Sequence, residues 1–152
     1  MLRKIISGGQ TGVDRAALDA ALELSFPCGG WCPQGRRAED GPIPARYPLQ
    51  ETPWWGYPQR TEWNVRDADA TLILIADELA GGALLTRELA ERMSKPQRVL
   101  KLPVADVRAL WTWLEANEVK TLNVAGPRAS EASMIYEQAK RLVQALIESA
   151  RR

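Results

Sequence analysis

Apolar and polar positions alternate along the chain in blocks whose period changes between that of a strand and that of a helix. Short apolar runs predict strands at residues 3–7, 26–32, 71–76, 98–102 and 120–125. Apolar residues spaced three or four apart predict helices at residues 13–24, 59–68, 84–93, 104–117 and 131–149. Strands that alternate with helices are typical of a parallel sheet covered on both faces. We therefore expect an α/β fold with a mainly parallel sheet of about five strands.

One long segment, residues 33–58, shows neither period and contains six prolines at positions 33, 42, 44, 48, 53 and 58. Irregular segments of this length are uncommon inside a compact domain unless they serve a function. The segment carries the basic pair Arg36-Arg37, which could hold an anion or be a solvated surface pair. It also carries Trp54, Trp55 and Tyr57. Packing against the protein or a neighbouring subunit is a commoner role for such aromatics than stacking on a ligand.

Three of the predicted strands run into turns that contain glycine. A strand that enters a helix through glycines leaves free N–H groups at the positive end of the helix dipole, where phosphate binds. The carboxyl ends of strands in such a sheet lie along one edge, so the three turns should share one cleft. The candidate ligand-binding residues are Gly8, Gly9, Gln10, Thr11, Gly12, Arg36, Asp77, Gly81, Gly82, Thr86, Asn123, Gly126 and Arg128.

The first turn, Gly8-Gly9-Gln10-Thr11-Gly12, matches neither the Walker sequence nor the dinucleotide fingerprint. Thr11 is predicted to cap the following helix, with Asp14 three residues later in a variant of the capping box. A tight strand-to-helix turn without any ligand is the alternative interpretation of this stretch. The convergence of three turns, more than any single one, favours a phosphate-bearing ligand.

Composition narrows the function classes. The chain has 152 residues, which fits a single domain, with 45% hydrophobic and 26% charged residues and a formal net charge of +1. Nothing in that balance favours nucleic acid or a membrane surface, and no apolar run is long enough to span a bilayer. The opening residues lead straight into a predicted strand without a signal peptide, so a cytoplasmic location is expected.

The chain contains no histidine, which excludes Ser-His and Cys-His catalytic pairs and histidine-based metal sites. Acid–base chemistry near neutral pH would require a carboxylate with a raised pKa, or a lysine, cysteine or tyrosine. Cys28 and Cys32 are the only cysteines, and their spacing is not that of the redox motif. Two thiols cannot complete a structural zinc site, so buried, inert thiols are expected.

Four blocks of sequence carry a family resemblance. They are SGGQTGVDRAALD at 7–19, CGGWCP at 28–33, GRRAEDGPIP at 35–44 and NVAGPR at 123–128. Together they resemble the molybdenum-cofactor carrier family, which is grouped with permuted relatives of the lysine-decarboxylase-like, nucleotide-binding Rossmann proteins. The resemblance extends from Ile5 to about Tyr136.

This resemblance implies a Rossmann-like three-layer αβα sandwich that forms a homo-oligomer, a dimer or a tetramer. It implies a binding protein more than a catalyst, with the molybdenum cofactor as bound cargo and molybdoenzymes as recipients. A nucleotide is the alternative ligand. Recognition would depend on the phosphate and the ring, with no metal ligands supplied by the protein apart from Cys28 and Cys32.

A looser similarity links the chain to phosphoribohydrolases, which release a base from a nucleoside monophosphate. It rests on Arg60, the Ala68-Asp69-Ala70 strand start, Gly81-Gly82 and Glu88. The resemblance implies catalytic roles for Glu88, which would stabilise a cationic sugar, and for Arg60, which would hold phosphate or ribose. Thr86 stands one position later than the threonine of those enzymes. A third hypothesis is a nucleotide sensor whose Trp54-Trp55-Tyr57 loop contacts a partner.

Overall fold

The computed structural model describes residues 1–152, and its parallel strands and helices alternate along the chain. The strands are β1 Lys4–Ile6, β2 Cys28–Gly29, β3 Trp31–Cys32, β4 Gln50–Glu51, β5 Ala70–Ile75, β6 Gln97–Lys101 and β7 Thr121–Ala125. The helices are α1 Val13–Glu23, α2 Tyr57–Asp67, α3 Gly81–Arg92, α4 Arg108–Ala116 and α5 Ile135–Ala150. None of the five helices combines the length and the hydropathy that crossing a bilayer requires.

The main sheet has five parallel strands in the order β2-β1-β7-β5-β6. Strand β5 is buried on both faces, as its continuous apolar sequence predicts. Its Leu72 and Leu74 belong to a cluster of 23 buried residues that includes side chains of α1, α4 and α5. Ile73 and Ile75 face the other way and pack with Ala83 of α3. The predicted α/β sandwich with about five parallel strands is confirmed.

The predicted strand over residues 26–32 is wrong in one respect, because it is two strands in two different sheets. Residues Cys28–Gly29 pair with β1, whereas Trp31–Cys32 pair in parallel with β4 in a separate two-stranded sheet. The chain changes direction at Gly30, whose φ is 129°. A Cβ there would lie 2.2 Å from the Ser7 carbonyl oxygen, so only glycine allows this close approach.

The predicted cap of α1 is wrong, and the predicted starts of α3, α4 and α5 at residues 84, 104 and 131 differ from the observed starts at Gly81, Arg108 and Ile135. Thr11 does not cap α1, because Gly12 is the N-cap residue and the Thr11 hydroxyl donates to the Glu39 carboxylate instead. The last helix begins at Ile135 and not near residue 131, since Ala129–Glu131 form a separate short 3₁₀ turn.

The proline-rich segment, residues 33–58, is well packed although its regular elements before α2 are only the short strand β4 and a 3₁₀ turn at Gln34–Arg36. The Arg36 guanidinium donates to the carbonyl oxygens of Ile43, Pro44 and Tyr47 at 2.8, 2.7 and 2.9 Å. Ile43 and Tyr47 are buried, and with Leu18 of α1 they belong to a second hydrophobic cluster. The Arg36 side chain therefore holds this part of the segment together through its hydrogen bonds to backbone carbonyl groups.

The segment is tied to the first glycine turn by Gln10 and Glu39. Gln10 Oε1 accepts the backbone N–H groups of Thr11 and Glu39 at 3.0 and 2.9 Å. The Glu39 carboxylate in turn accepts from the Thr11 hydroxyl and from both Ser130 Oγ and Ser130 N, at 2.6 and 3.2 Å. One carboxylate thus joins the segment, the β1–α1 turn and the loop after β7.

A second contact between the same two blocks is the ion pair of Arg15 with Asp40. The guanidinium reaches both carboxylate oxygens, at 2.6 and 3.2 Å, and also donates to the Gly9 carbonyl at 3.0 Å. The hydrogen bond from the Arg15 guanidinium to the carboxylate holds the pKa of Asp40 below its usual range. The sequence blocks at residues 7–19 and 35–44 therefore contact each other through hydrogen bonds and an ion pair.

Replacing Glu39 with Gln tests this junction. Hydrogen bonds from Ser130 and then Thr11 hold the pKa of Glu39 below its usual range. A carboxyl with a lowered folded-state pKa stabilises the fold above its unfolded-state pKa, about 4.3, and this stabilisation is lost as the pH falls. Glu39→Gln should lower the free energy of unfolding by about 1 kcal/mol at neutral pH.

Urea unfolding of both proteins at neutral and strongly acidic pH measures the effect. The difference should shrink in acid, where the wild-type carboxyl is itself protonated. Glu115→Gln is the matched control, because Glu115 is exposed on α4. An equal loss at both pH values, or an equal loss in the control, would contradict the assignment.

Candidate functional site

The three glycine turns meet at the carboxyl edge of β1, β7 and β5. They enclose an inner pocket of about 50 Å³ whose lining includes Gly8, Gly82 and Gly126 from the turns. Asp14 and Asn123 contribute side chains to the same lining. The convergence expected from the sequence is therefore present in the fold, and its ligand stays a prediction.

The pocket continues outward into a larger space, the outer cleft, of about 300 Å³. The outer cleft lies between the start of α2 at Tyr57, the start of α3 at Gly81, and the loop after β7 that carries Arg128. Arg60 and Gly82 line both spaces and mark the boundary between them. A cleft of this size can accept a small organic ligand.

The first glycine turn is already neutralised by a carboxylate of the protein. Asp14 Oδ2 accepts the Gln10 N–H at 3.3 Å and Arg60 Nη1 at 3.0 Å. The Asp14 and Arg60 side chains are only 9% and 12% exposed. The Arg60 guanidinium lies directly against Gly8, where a Cβ would come within 2.1 Å of Nη1. The position predicted for a bound phosphate is therefore taken by a buried ion pair.

Burial raises the pKa of Asp14, and the nearby Arg60 charge opposes that rise. The positive end of α1 also favours a negative charge in its first turn. The rest of this turn is packed against the protein itself. A Cβ on Gly9 would lie 2.5 Å from Leu49, and one on Gly12 would lie 2.4 Å from the Pro127 carbonyl oxygen. Gly9 and Gly12 therefore allow close packing instead of close approach to a ligand.

The second glycine turn is open. Helix α3 begins at Gly81 after Ala80, without a side-chain cap and without an acidic residue in its first turn. The amides of Gly81, Gly82 and Ala83 donate to no other backbone group. No atom lies within 4 Å of a Cβ built on Gly82. The positive end of α3 thus faces the outer cleft with free N–H groups, and a carboxylate oxygen of Glu131 lies 3.9 Å from a Cβ built on Gly81.

Arginines surround Tyr57 at the rim of the outer cleft. The guanidinium carbons of Arg37, Arg60 and Arg128 lie 4.4, 5.2 and 6.0 Å from the centre of its ring. Arg128 pairs with Glu131 at 2.9 Å. Arg37 has no carboxylate within ion-pair distance and donates to the Trp55 carbonyl at 3.3 Å. The rim therefore carries positive charge beside the free amides of α3.

The remaining polar groups of the inner pocket are held by hydrogen bonds. Asn64 of α2 accepts from Trp31 N at 2.8 Å and donates to Trp31 O at 3.0 Å. Thr86 donates to the Gly82 carbonyl at 2.8 Å. Asn123 is 3% exposed and donates through Nδ2 to Thr71 Oγ1 at 3.3 Å. These side chains are fixed before any ligand arrives.

Six of the predicted site residues line neither the inner pocket nor the outer cleft: Gly9, Thr11 and Gly12 of the first turn, and Arg36, Asp77 and Glu88. Arg36 is engaged with carbonyl oxygens of the proline-rich segment. Asp77 lines a different depression, beside Met134 and Ile135. Glu88 is exposed on α3 and lines neither the inner pocket nor the outer cleft. The structure does not bring Glu88 and Arg60 together, so it offers no support for the hydrolase hypothesis.

Cysteines and metal ligands do not contribute to this site. Cys32 is buried and Cys28 half-buried, and burial raises the pKa of both thiols. No group of three or more Cys, Asp or Glu side chains is arranged to hold a metal ion.

The two tryptophans of the proline-rich segment lie at the surface, since Trp54 is 46% exposed and Trp55 is 58% exposed.

Three residues of the site were not among the predicted site residues. Tyr57 was predicted only as one of three loop aromatics, and the place of Asn64 in the inner pocket depends on the position of α2. Asp14 was noted only as a partner of a helix cap. The available signal for Asp14 was an acidic residue two positions after the last glycine of the turn.

Comparisons with known proteins agree with this architecture. The model of the circularly permutated YpsA SLOG family matches residues 5–147. The chain is similar to a crystal structure named "Putative molybdenum carrier protein" from Syntrophus aciditrophicus SB, with 43% sequence identity and a TM-score of 0.90. The match covers 96% of this chain and 95% of that one. No curated protein matches the sequence.

The buried ion pair predicts the result of replacing Arg60 with Met. The substitution leaves the Asp14 carboxylate buried without its counter-charge, which should cost about 3 kcal/mol of unfolding free energy at neutral pH. Without Arg60 the folded-state pKa of Asp14 rises further above its unfolded-state value. Such a carboxyl destabilises the fold at high pH, so the deficit should shrink as the pH falls toward 5.

Denaturant unfolding across this pH range measures the deficit. Arg15→Met is the matched control, because its partner Asp40 is 49% exposed and can be solvated. The control should lose about 1 kcal/mol or less. Equal losses in the two variants would show that Asp14 and Arg60 are not a coupled buried pair.

Proposed function

The chain belongs to the circularly permutated YpsA SLOG family, and on that premise we propose that it binds a phosphate-bearing small molecule in the outer cleft. The molybdenum cofactor is the proposed cargo, since a structural relative with 43% identity carries the name of a molybdenum carrier. The observation that supports the proposal most directly is the unneutralised start of α3, which faces Arg128 across the outer cleft.

The phosphate is placed at the start of α3. Free N–H groups at Gly81, Gly82 and Ala83 can donate to phosphate oxygens, and the helix dipole favours negative charge there. Arg128 lines the same space and can add a charge-assisted hydrogen bond. The inner pocket is less suitable for phosphate, because the Asp14 carboxylate lines it.

The ring of the ligand lies between the phosphate position and the inner pocket. Tyr57 and Arg60 border this part of the cleft. Hydrogen bonds to the phosphate and to the edge of the ring would then determine recognition. A carrier needs only to bind and release its cargo, and we propose that it delivers the cargo to molybdoenzymes in the cytoplasm as a homodimer or homotetramer.

Replacing Arg128 with Ala tests the proposed phosphate position. The protein is purified without added ligand, denatured and oxidised, and the released pterin is measured by its fluorescence. Wild-type protein should release pterin, and native mass spectrometry should show a ligand of matching mass. Loss of one charge-assisted contact should weaken binding about tenfold, with a corresponding fall in the pterin retained through dialysis.

Arg108→Ala is the matched control, because Arg108 is also an exposed arginine paired with a nearby carboxylate, Asp106. The control should retain as much pterin as the wild type. Absence of pterin and of any phosphate-bearing mass from wild-type protein would count against the carrier role. Unchanged retention in Arg128→Ala would count against the phosphate position.

A further inference from the structure

The inner pocket has a different chemistry from the outer cleft, because two buried acceptor oxygens remain without a protein donor. Asp14 uses Oδ2 for Gln10 and Arg60, and its Oδ1 accepts nothing from the protein. Asn123 donates through Nδ2 to Thr71, and its Oδ1 likewise has no protein donor. Neither oxygen is sealed in the core, so both reach the inner pocket that their residues line.

Most side-chain donors around the inner pocket are already used, although the backbone N–H of Gly82 remains free there. The side-chain amide of Asn64 accepts from Trp31 N and donates to Trp31 O, and the Thr86 hydroxyl donates to the Gly82 carbonyl. Arg60 Nη1 donates to Asp14, and Arg60 Nε is unpartnered but sealed away from solvent. The free oxygens of Asp14 and Asn123 are therefore acceptors that a bound ligand can reach.

The size of the inner pocket limits what donor a ligand can bring to these oxygens. About 50 Å³ accommodates one or two polar groups but not a whole ring. The inner pocket opens to the outer cleft, since Arg60, Thr61, Gly82 and Gly126 line both. A ring lying in the outer cleft can therefore insert only its edge.

We propose that the inner pocket binds an uncharged hydrogen-bond-donating edge of the ligand, with Asp14 and Asn123 as the accepting residues. This inference rests on the proposed function and fixes the ligand's direction, with the donor edge inward and the phosphate outward at the start of α3. The donor is either an amino group of the ring or a hydroxyl of an attached sugar, which share the same chemistry.

Charge supports this direction. A phosphate in the inner pocket would face the Asp14 carboxylate in a poorly solvated space, where like charges repel strongly. Arg60 cannot offset this fully, because its charge is already matched by Asp14 at 3.0 Å. At the start of α3 the same phosphate meets free N–H groups and Arg128, whose ion-pair partner Glu131 lines the same cleft.

The test compares three nucleotides on the unmodified protein by isothermal titration calorimetry. Guanosine monophosphate carries both donors, inosine monophosphate lacks the ring amino group, and deoxyguanosine monophosphate lacks one sugar hydroxyl. We expect guanosine monophosphate to bind at least about tenfold more tightly than one of the other two, because a buried charged acceptor is left unpaired without its donor. The analogue that loses affinity identifies the donor.

Asp14→Asn provides the second arm, because the amide preserves shape and removes the charge. The preference among the three nucleotides should fall to about threefold or less. Asn123→Ala, which leaves the Asp14–Arg60 pair intact, should reduce the same preference. Asp40→Asn is the matched control, since it also removes a carboxylate paired with an arginine, and it should keep the wild-type preference.

Equal affinities for the three nucleotides in the wild type would overturn the inference, and so would a preference that survives both variants. In either case, weakened binding by Arg128→Ala would still support the proposed function. Failure of guanosine monophosphate to bind protein that does retain a pterin would also overturn the inference alone. Failure to bind any nucleotide, together with no retained pterin, would overturn both.

Discussion

The buried ion pair of Asp14 and Arg60 determines how the edge of the sheet is used. It joins the first turn of α1 to α2, two helices that the proline-rich segment separates along the chain. The Arg60 side chain also fills the space in front of Gly8. Two charges with so little exposure must stay together, because either one alone would be buried without compensation. The pair therefore fixes the position of α2 over the sheet and withdraws the first glycine turn from anion binding.

The sequence blocks that look most like a ligand-binding motif are largely structural. Gln10 and Arg15 of the first block contact Glu39 and Asp40 of the third, and Glu39 reaches on to Ser130 beside the fourth. These contacts close the proline-rich segment over the sheet edge. A similarity to other proteins in these blocks therefore indicates a similar structure at the edge of the sheet. The groups that remain free to bind a ligand lie largely outside these blocks.

The sequence alone was sufficient for the features that depend on local pattern. The strand Ala70–Ile75 follows from one apolar run, and the meeting of three turns follows from parallel topology. It was insufficient for deciding which turn is open. That depends on side chains distant in sequence, since Arg60 pairs with Asp14 from 46 residues away and lies against Gly8, and Glu39 reaches Ser130 across 91 residues. Glycine spacing cannot distinguish Gly12, packed against Pro127, from Gly82, which has open space around it.

The contrast between the two helix starts gives the cleft a direction. Both α1 and α3 present N–H groups to the same edge, and two open starts would offer a phosphate two competing positions. Asp14 removes one of them, while α3 has no acidic residue in its first turn. The polarity of the cleft thus comes from a carboxylate that accepts an N–H within the first turn and from free N–H groups at the second, where Glu131 is paired with Arg128. On the binding mode that we propose, this asymmetry favours one orientation for a small ligand with one anionic end.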